Sequence, residues 1–203
     1  MKKRILCLLV LLGLGMQAHA TVIGFAPSSQ NTSVGGSVSV DLVVSDLGDD
    51  ILTGFDLSVL FDDTLLAFDS FEFGTDCFGF SCLDVLGFGS LQDAFDWGFG
   101  EVEVFELSFD FDEDLELFQP DDFVLGTFVF TGLEIGVSAL DILVWGATGG
   151  YVFDEVLGFE IASSLAVDVE SGSIEVPEPG TWLLMLSGLL CLGLSRRRTV
   201  VRA

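Results

Sequence analysis

The chain has 203 residues, half of them hydrophobic and 20 of them phenylalanine, with 32 acidic side chains against 7 basic ones and a net charge of −25. That apolar content excludes a disordered acidic tail. The basic residues and the only histidine, His19, all lie near the two ends, and of the 32 acids only Glu178 lies outside residues 21–176, so that segment carries a formal charge of −31 and repels nucleic acid and anionic lipid.

Residues 1–20 open with Lys2, Lys3 and Arg4, continue through an apolar core at 5–16 and end in Ala18-His19-Ala20. This is the layout of a secretory signal peptide cleaved after Ala20; the apolar core is short for an uncleaved anchor. Residues 21–176 then have the length of one domain, followed by a tail at 177–203.

Along the domain the hydrophobic period is two. A first strand is expected at 21–26, before Pro27, with polar turn chemistry at 28–33. Val38, Val40, Leu42 and Val44 alternate with Ser39, Asp41, Val43 and Ser45, which reads as a half-buried strand, and 46–50 is the turn after it. Phe55, Leu57, Val59 and Phe61 form one face of the next strand, opposite Asp56 and Ser58. Asp62-Asp63 turns the chain into a short apolar segment at 65–71.

Residues 74–100 show no sustained period and read as a long loop or a pair of short hairpins. They hold Trp97 and the pair Cys77 and Cys82, the only cysteines outside the two ends, where Cys7 and Cys191 lie. Export to an oxidising compartment predicts a disulfide between them, and two thiols without a histidine are too few ligands for zinc. At 101–112 the apolar positions change parity, from Val102 and Val104 to Phe105, Leu107, Phe109 and Phe111. The change predicts a β-bulge at Val104 and Phe105, with Glu106, Ser108, Asp110 and Asp112 as a solvent-facing acidic row. Further strands are expected at 123–130, at 137–145, at 164–170 with Leu165, Val167 and Val169 inward, and at 173–176. About eight strands and no amphipathic helix predict an all-β antiparallel sandwich.

The domain has neither His nor Lys to serve as the base of a nucleophilic site, and its acids are so dense that carboxylate pairs arise by chance, so a non-enzymatic role is expected. Residues 110–116 begin like an oxygen-ligand calcium loop, but Leu115 stands where an EF-hand needs glycine. A looser calcium site would draw on Asp112, Asp114, Asp121 and Asp122; a solvated acidic turn is the alternative. Trp97, Trp145 and Tyr151 are candidates for stacking on sugar rings. Trp145 has the opposite parity to Leu140, Ile142 and Val144, which points it outward; the other reading has both tryptophans closing the ends of the core.

Three stretches, Gly35-Gly36-Ser37-Val38-Ser39-Val40-Asp41-Leu42-Val43-Val44, Gly54-Phe55-Asp56-Leu57-Ser58-Val59-Leu60-Phe61-Asp62-Asp63-Thr64-Leu65-Leu66 and Leu125-Gly126-Thr127-Phe128-Val129-Phe130-Thr131-Gly132-Leu133-Glu134-Ile135-Gly136-Val137-Ser138, resemble the cohesin-type domain. The resemblance implies a jelly-roll sandwich related to cellulose-binding modules, acting as a binding module. Residues 74–100 depart from the pattern, and no contact residue carries over.

The tail begins with Pro177-Glu178-Pro179, continues through an apolar run led by Trp182 and ends in Arg196-Arg197-Arg198. The apolar run, at 181–194, is shorter than the ~20 residues of a spanning helix, and the arginines mark its cytoplasmic side. These three parts in this order resemble the PEP-CTERM sorting signal of Gram-negative bacteria. The resemblance implies an exosortase-type processing enzyme as partner and transient membrane residence. The inner-membrane-tethered precursor would then pass to the periplasm, the outer surface or the extracellular matrix, to bind exopolysaccharide or a surface protein. A self-assembling matrix protein without a glycan ligand is the alternative. Mass spectrometry of the exported protein should find a chain that starts at Thr21 and lacks Arg196-Arg197-Arg198; arginines still attached would mean a retained tail anchor.

Overall fold

The computed structural model describes residues 20–154 and 159–178, with the backbone alone over 151–154 and 159–162. The predicted signal peptide up to His19, and the tail from Pro179 onward, lie outside the described residues. The described chain forms β1 (Thr21–Ala26), β2 (Ser29–Asn31), β3 (Ser37–Ser45), β4 (Gly54–Leu60), β5 (Leu66–Phe73), β6 (Ser90–Gly98), β7 (Glu101–Ser108), α1 (Asp112–Phe118), β8 (Phe123–Gly132), β9 (Gly136–Asp154), β10 (Phe159–Ser164), β11 (Val167–Val169) and β12 (Gly172–Val176). A five-stranded sheet runs β11-β1-β3-β8-β5. A seven-stranded sheet runs β2-β12-β9-β4-β7-β6, with β10 paired to β9. All pairs are antiparallel except β1 with β11 and β12 with β2. The fold is thus the expected all-β sandwich.

Its core is built from the alternating positions. Val38, Val40, Leu42 and Val44 of β3, Phe55, Leu57 and Val59 of β4, Val102 and Val104 of β7, and Phe128 and Phe130 of β8 are all buried between the sheets. Each such burial contributes about 1.5–3 kcal/mol, so a one-residue slip of any strand, which turns its whole apolar set outward, is strongly disfavoured. In β5 the register shifts between Phe68 and Ser70, and Asp69 is the extra residue. That bulge lets Phe68 and Phe71 both pack on Phe128, with ring centroids 6.2 and 4.5 Å away. The Phe71 ring lies so close to Gly126 that any Cβ there would collide with it.

Several expectations are corrected. The polar stretch at 28–33 is not only a turn: residues 29–31 form the edge strand β2, parallel to β12. An edge strand pairs on one side only and needs no apolar face, so hydrophobic period cannot find it. A third of 74–100, residues 90–98, is likewise strand. β6 pairs with β7 through the two-residue turn Phe99-Gly100, whose φ values of 57° and 77° are those of a hairpin turn of type I′. Leu91, Phe95 and Trp97 of β6 are exposed, which reverses the usual apolar-inward pattern.

The bulge at Val104 and Phe105 is absent. β4 and β7 pair without a break from Gly54 opposite Leu107 to Leu60 opposite Glu101. The acidic row therefore faces inward: Glu106 is fully buried, Ser108 and Asp110 nearly so, and Phe109 and Phe111 are exposed. β7 is paired on both sides, and a bulge would leave ladder groups unmatched. Glu106 instead turns inward with hydrogen bonds, its Oε1 accepting from the Ser90 hydroxyl at 2.6 Å and from Gln92 Nε2 at 2.8 Å. A further correction is α1, a short helix where none was expected; it begins at Asp112 and buries Leu115. Of the residues expected inward at 164–170, Leu165 and Val167 pack on the core, but Val169 is exposed.

The rest of 74–100 is an ordered plug over one end of the core. Cys77, Cys82, Leu83 and Val85 are buried there, and the predicted Cys77–Cys82 disulfide is present with its Cα atoms 4.9 Å apart. Gln119 ties the plug down, donating from Nε2 to the carbonyls of Leu52 and Cys82 and accepting the Leu52 N–H at 2.8 Å. Closure of so short a loop contributes only ~2 kcal/mol by chain entropy. Replacing both cysteines by serine should accordingly lower stability in denaturant melts by about that amount without unfolding the domain.

Two carboxylates respond oppositely to this environment. Asp62 accepts from the Thr64 hydroxyl and N–H, which lowers its pKa; its contribution is present at neutral pH and lost as pH falls through the lowered value. Asp56, on β4, has its pKa raised, first by burial and then by the charge of Glu103, and its Oδ1 is buried without a hydrogen-bond partner. Its contribution is fully present below the ordinary carboxylate pKa and lost as pH rises through the raised one. In thermal melts Asp56→Asn should be more stable than the parent at pH 7, with the difference vanishing as pH falls towards about 4.

Candidate functional site

The outer face of the seven-stranded sheet carries the most distinctive arrangement of side chains. Strand pairing places Leu143 of β9, Ser58 of β4, Glu103 of β7 and Phe95 of β6 in one row across the sheet. At ~4.8 Å per strand the row is roughly 15 Å wide. A tryptophan leans onto it from each flank.

Trp145 sits where β9 slips register against β4, between Val144 and Gly146. Its indole N–H donates to Ser58 Oγ at 2.9 Å, and that hydroxyl donates to Glu101 Oε1 at 2.9 Å. Trp97, near the end of β6, donates to Glu103 Oε2 at 2.7 Å and packs edge-on against Phe95, with ring centroids 4.6 Å apart. The indoles are therefore held at their polar edges while their rings remain 61% and 56% exposed. Neither tryptophan closes the core. Leu60, Leu91, Phe95 and Leu143 are exposed with them. Asp93, Phe95, Glu103 and Phe105 line a depression of about 140 Å³.

The resulting surface is aromatic and aliphatic, studded with carboxylates and without a cation. Such a surface is complementary to a ligand that combines apolar groups with Lys or Arg, since a cation can meet both the carboxylates and the indole faces. Sequence parity alone marks Trp145 as outward, but it cannot bring Trp97 onto the same face, because residues 74–100 carry no sustained period that would mark β6 as a strand. Tyr151 lies in β9 opposite Ala162, and its side chain is outside the described residues.

The four candidate calcium ligands are not brought together. Asp112 and Asp114 lie in the first turn of α1, whereas Asp121 and Asp122 follow its far end, about 10 Å along the helix. Asp122 accepts the Asp46 N–H at 3.2 Å. Asp121 lines a cleft of about 370 Å³ that also holds Asp49, Asp50 and Glu116. Among the described residues, no group of three or more His, Cys, Asp or Glu side chains could hold a metal ion.

A different acidic pair was missed. Asp110 is 6% exposed and Asp84 8% exposed. Asp110 Oδ2 accepts the Leu86 N–H at 3.2 Å, and Asp84 Oδ1 accepts the Gly89 N–H at 2.9 Å. The pKa of Asp110 is raised, chiefly by burial, with Asp84 and Asp114 adding repulsion against the pull of backbone N–H groups. Asp110 lies two residues past the end of β7, where strand parity no longer applies, and only its contact with the turn at 84–89 marks it.

At the opposite end of the chain, Pro177 and Glu178 leave β12 exposed, and Pro179, Arg196, Arg197 and Arg198 lie outside the described residues. A family model described as the PEP-CTERM protein-sorting motif matches residues 175–198. No curated protein matches the chain. Among solved structures, the seventh ScaB type I cohesin from Pseudobacteroides cellulosolvens is 18% identical with a TM-score of 0.56, over 79% of this chain and 94% of that one. A non-cellulosomal cohesin from the archaeon Archaeoglobus fulgidus is 14% identical with a TM-score of 0.54, over 77% and 91%. A chain of a type I cohesin–dockerin complex from Clostridium thermocellum is 12% identical with a TM-score of 0.57, over 80% and 96%. The sandwich has the cohesin fold, and the chain carries a PEP-CTERM sorting signal of the exosortase type directly after it.

Proposed function

We propose that this is an exported, non-enzymatic binding protein that docks a partner protein on the outer face of its seven-stranded sheet. Residues 1–20 direct export, 21–176 form the binding domain, and 177–203 are the sorting tail, handled by an exosortase-type enzyme. The observation that carries the reading is the placement of Trp97, Trp145, Phe95 and Leu143 on one exposed face whose only charges are acidic. A large exposed apolar patch on a soluble domain is a mark of an interaction surface. Cohesins in the similar structures are seen in complex with dockerins, which supports a dockerin-type partner here, with a basic and apolar contact surface. The end of β12 at Val176, immediately before Pro177, supports the boundary between domain and tail.

The exposed indoles also favour a second reading, in which they stack on a matrix polysaccharide. The two readings separate by experiment on the full-length chain. Surface plasmon resonance against dockerin modules should give binding that weakens as salt rises and falls about 30-fold or more in Trp145→Ala or Trp97→Ala. Unchanged binding in both variants would overturn the docking face. Retention in an exopolysaccharide gel that the same variants abolish, with no dockerin binding, would replace the protein partner with a glycan.

A further inference from the structure

We infer that Asp84 and Asp110 form the carboxylate half of a calcium site on the turn at residues 84–89. Both side chains are more than nine-tenths buried, and both engage that one turn, Asp110 through the Leu86 N–H and Asp84 through the Gly89 N–H. The Asp84 carbonyl accepts the Gly87 N–H at 3.2 Å, which closes the turn around them. Asp110 Oδ2 is thereby used, and Oδ1 is buried with no hydrogen-bond partner. Asp114 is the next carboxylate near enough to act on Asp110.

Carboxylates this deeply buried need a counter-charge, and residues 21–176 contain no Lys, Arg or His to supply it. In this assignment the counter-charge is a cation from solution, which holds Asp110 ionised against the burial that raises its pKa. The available donors are all oxygen: two buried carboxylates, the carbonyls of an irregular turn, and water. Calcium takes six to eight oxygens in flexible geometry and accepts such a set, whereas magnesium demands a near-ideal octahedron. Two side-chain carboxylates completed by main chain and water also agree with the lack of any three-side-chain metal group among the described residues. This pair is distinct from Asp112, Asp121 and Asp122, which the fold keeps apart.

Calorimetric titration of the full-length chain in detergent, with calcium chloride and enough sodium chloride to screen diffuse attraction, tests the assignment. One saturable site is expected, with a Kd of about 0.1–1 mM, as in extracellular modules. Asp110→Asn and Asp84→Asn should each weaken it at least tenfold, while Asp121→Asn, in the other acidic cleft, should leave it unchanged. Calcium should raise the Tm of the parent and not that of Asp84→Asn, which decides the matter if Asp110→Asn fails to fold. A titration without saturation, or a saturable site that survives both substitutions or is lost equally in Asp121→Asn, would overturn the assignment.

Discussion

Between Thr21 and Val176 no side chain can neutralise a carboxylate. Neutral donors therefore do the work that lysine and arginine do in most domains. Asp41 accepts from the Thr127 hydroxyl and Asp69 from that of Thr131, each at 2.7 Å, while Asp76 and Asp122 take backbone N–H groups. Glu101, Glu103 and Glu106 are held by Ser58, Trp97 and the pair Ser90 and Gln92. Serine, threonine and tryptophan are placed opposite acids across strand pairs because those are the donors the sequence contains. Such bonds orient a carboxylate without discharging it, so the surface remains strongly negative.

The opposing term is the core. Alternating Val, Leu and Phe from β3, β4, β7 and β8 exclude water from the space between the sheets, and that apolar burial has to outweigh the mutual repulsion of the acids. Where the core ends, the compromises appear. Asp56 is partly desolvated on the outer face beside Trp145, and Asp110 is buried beneath the plug at 74–89.

The strand directions also separate the two ends of the domain. β12 leaves for the sorting tail beside Gly136, whereas the plug and α1 cover the opposite end, near the start of β8. Ten residues of β8 span the distance, on the order of 30 Å. The exposed tryptophan face of the seven-stranded sheet lies along that length, between the plug and the point where the chain leaves β12.

The sequence by itself determined what depends on local order. Period-two alternation placed Val38, Val40, Leu42 and Val44, and then Phe55, Leu57 and Val59, on buried faces, since in a strand the direction of a side chain follows from its parity. Composition and the order of charges marked the two ends and the Cys77–Cys82 pair. The tertiary structure decided what depends on neighbouring strands. β2 and β6 are edge strands whose pattern is polar or inverted, and they exist because β12 and β7 offer them unpaired backbone. Glu106 faces inward because β7 is bonded on both sides, and that ladder overrides the preference of a carboxylate for water; Asp110, two residues past the end of β7, is buried by its contact with the turn at 84–89. Trp97 and Trp145 lie 48 residues apart in the chain and share one face only because β4 and β7 stand between their strands. Parity fixes the direction of a side chain within its own strand; which strands are neighbours is set by backbone pairing across the whole sheet.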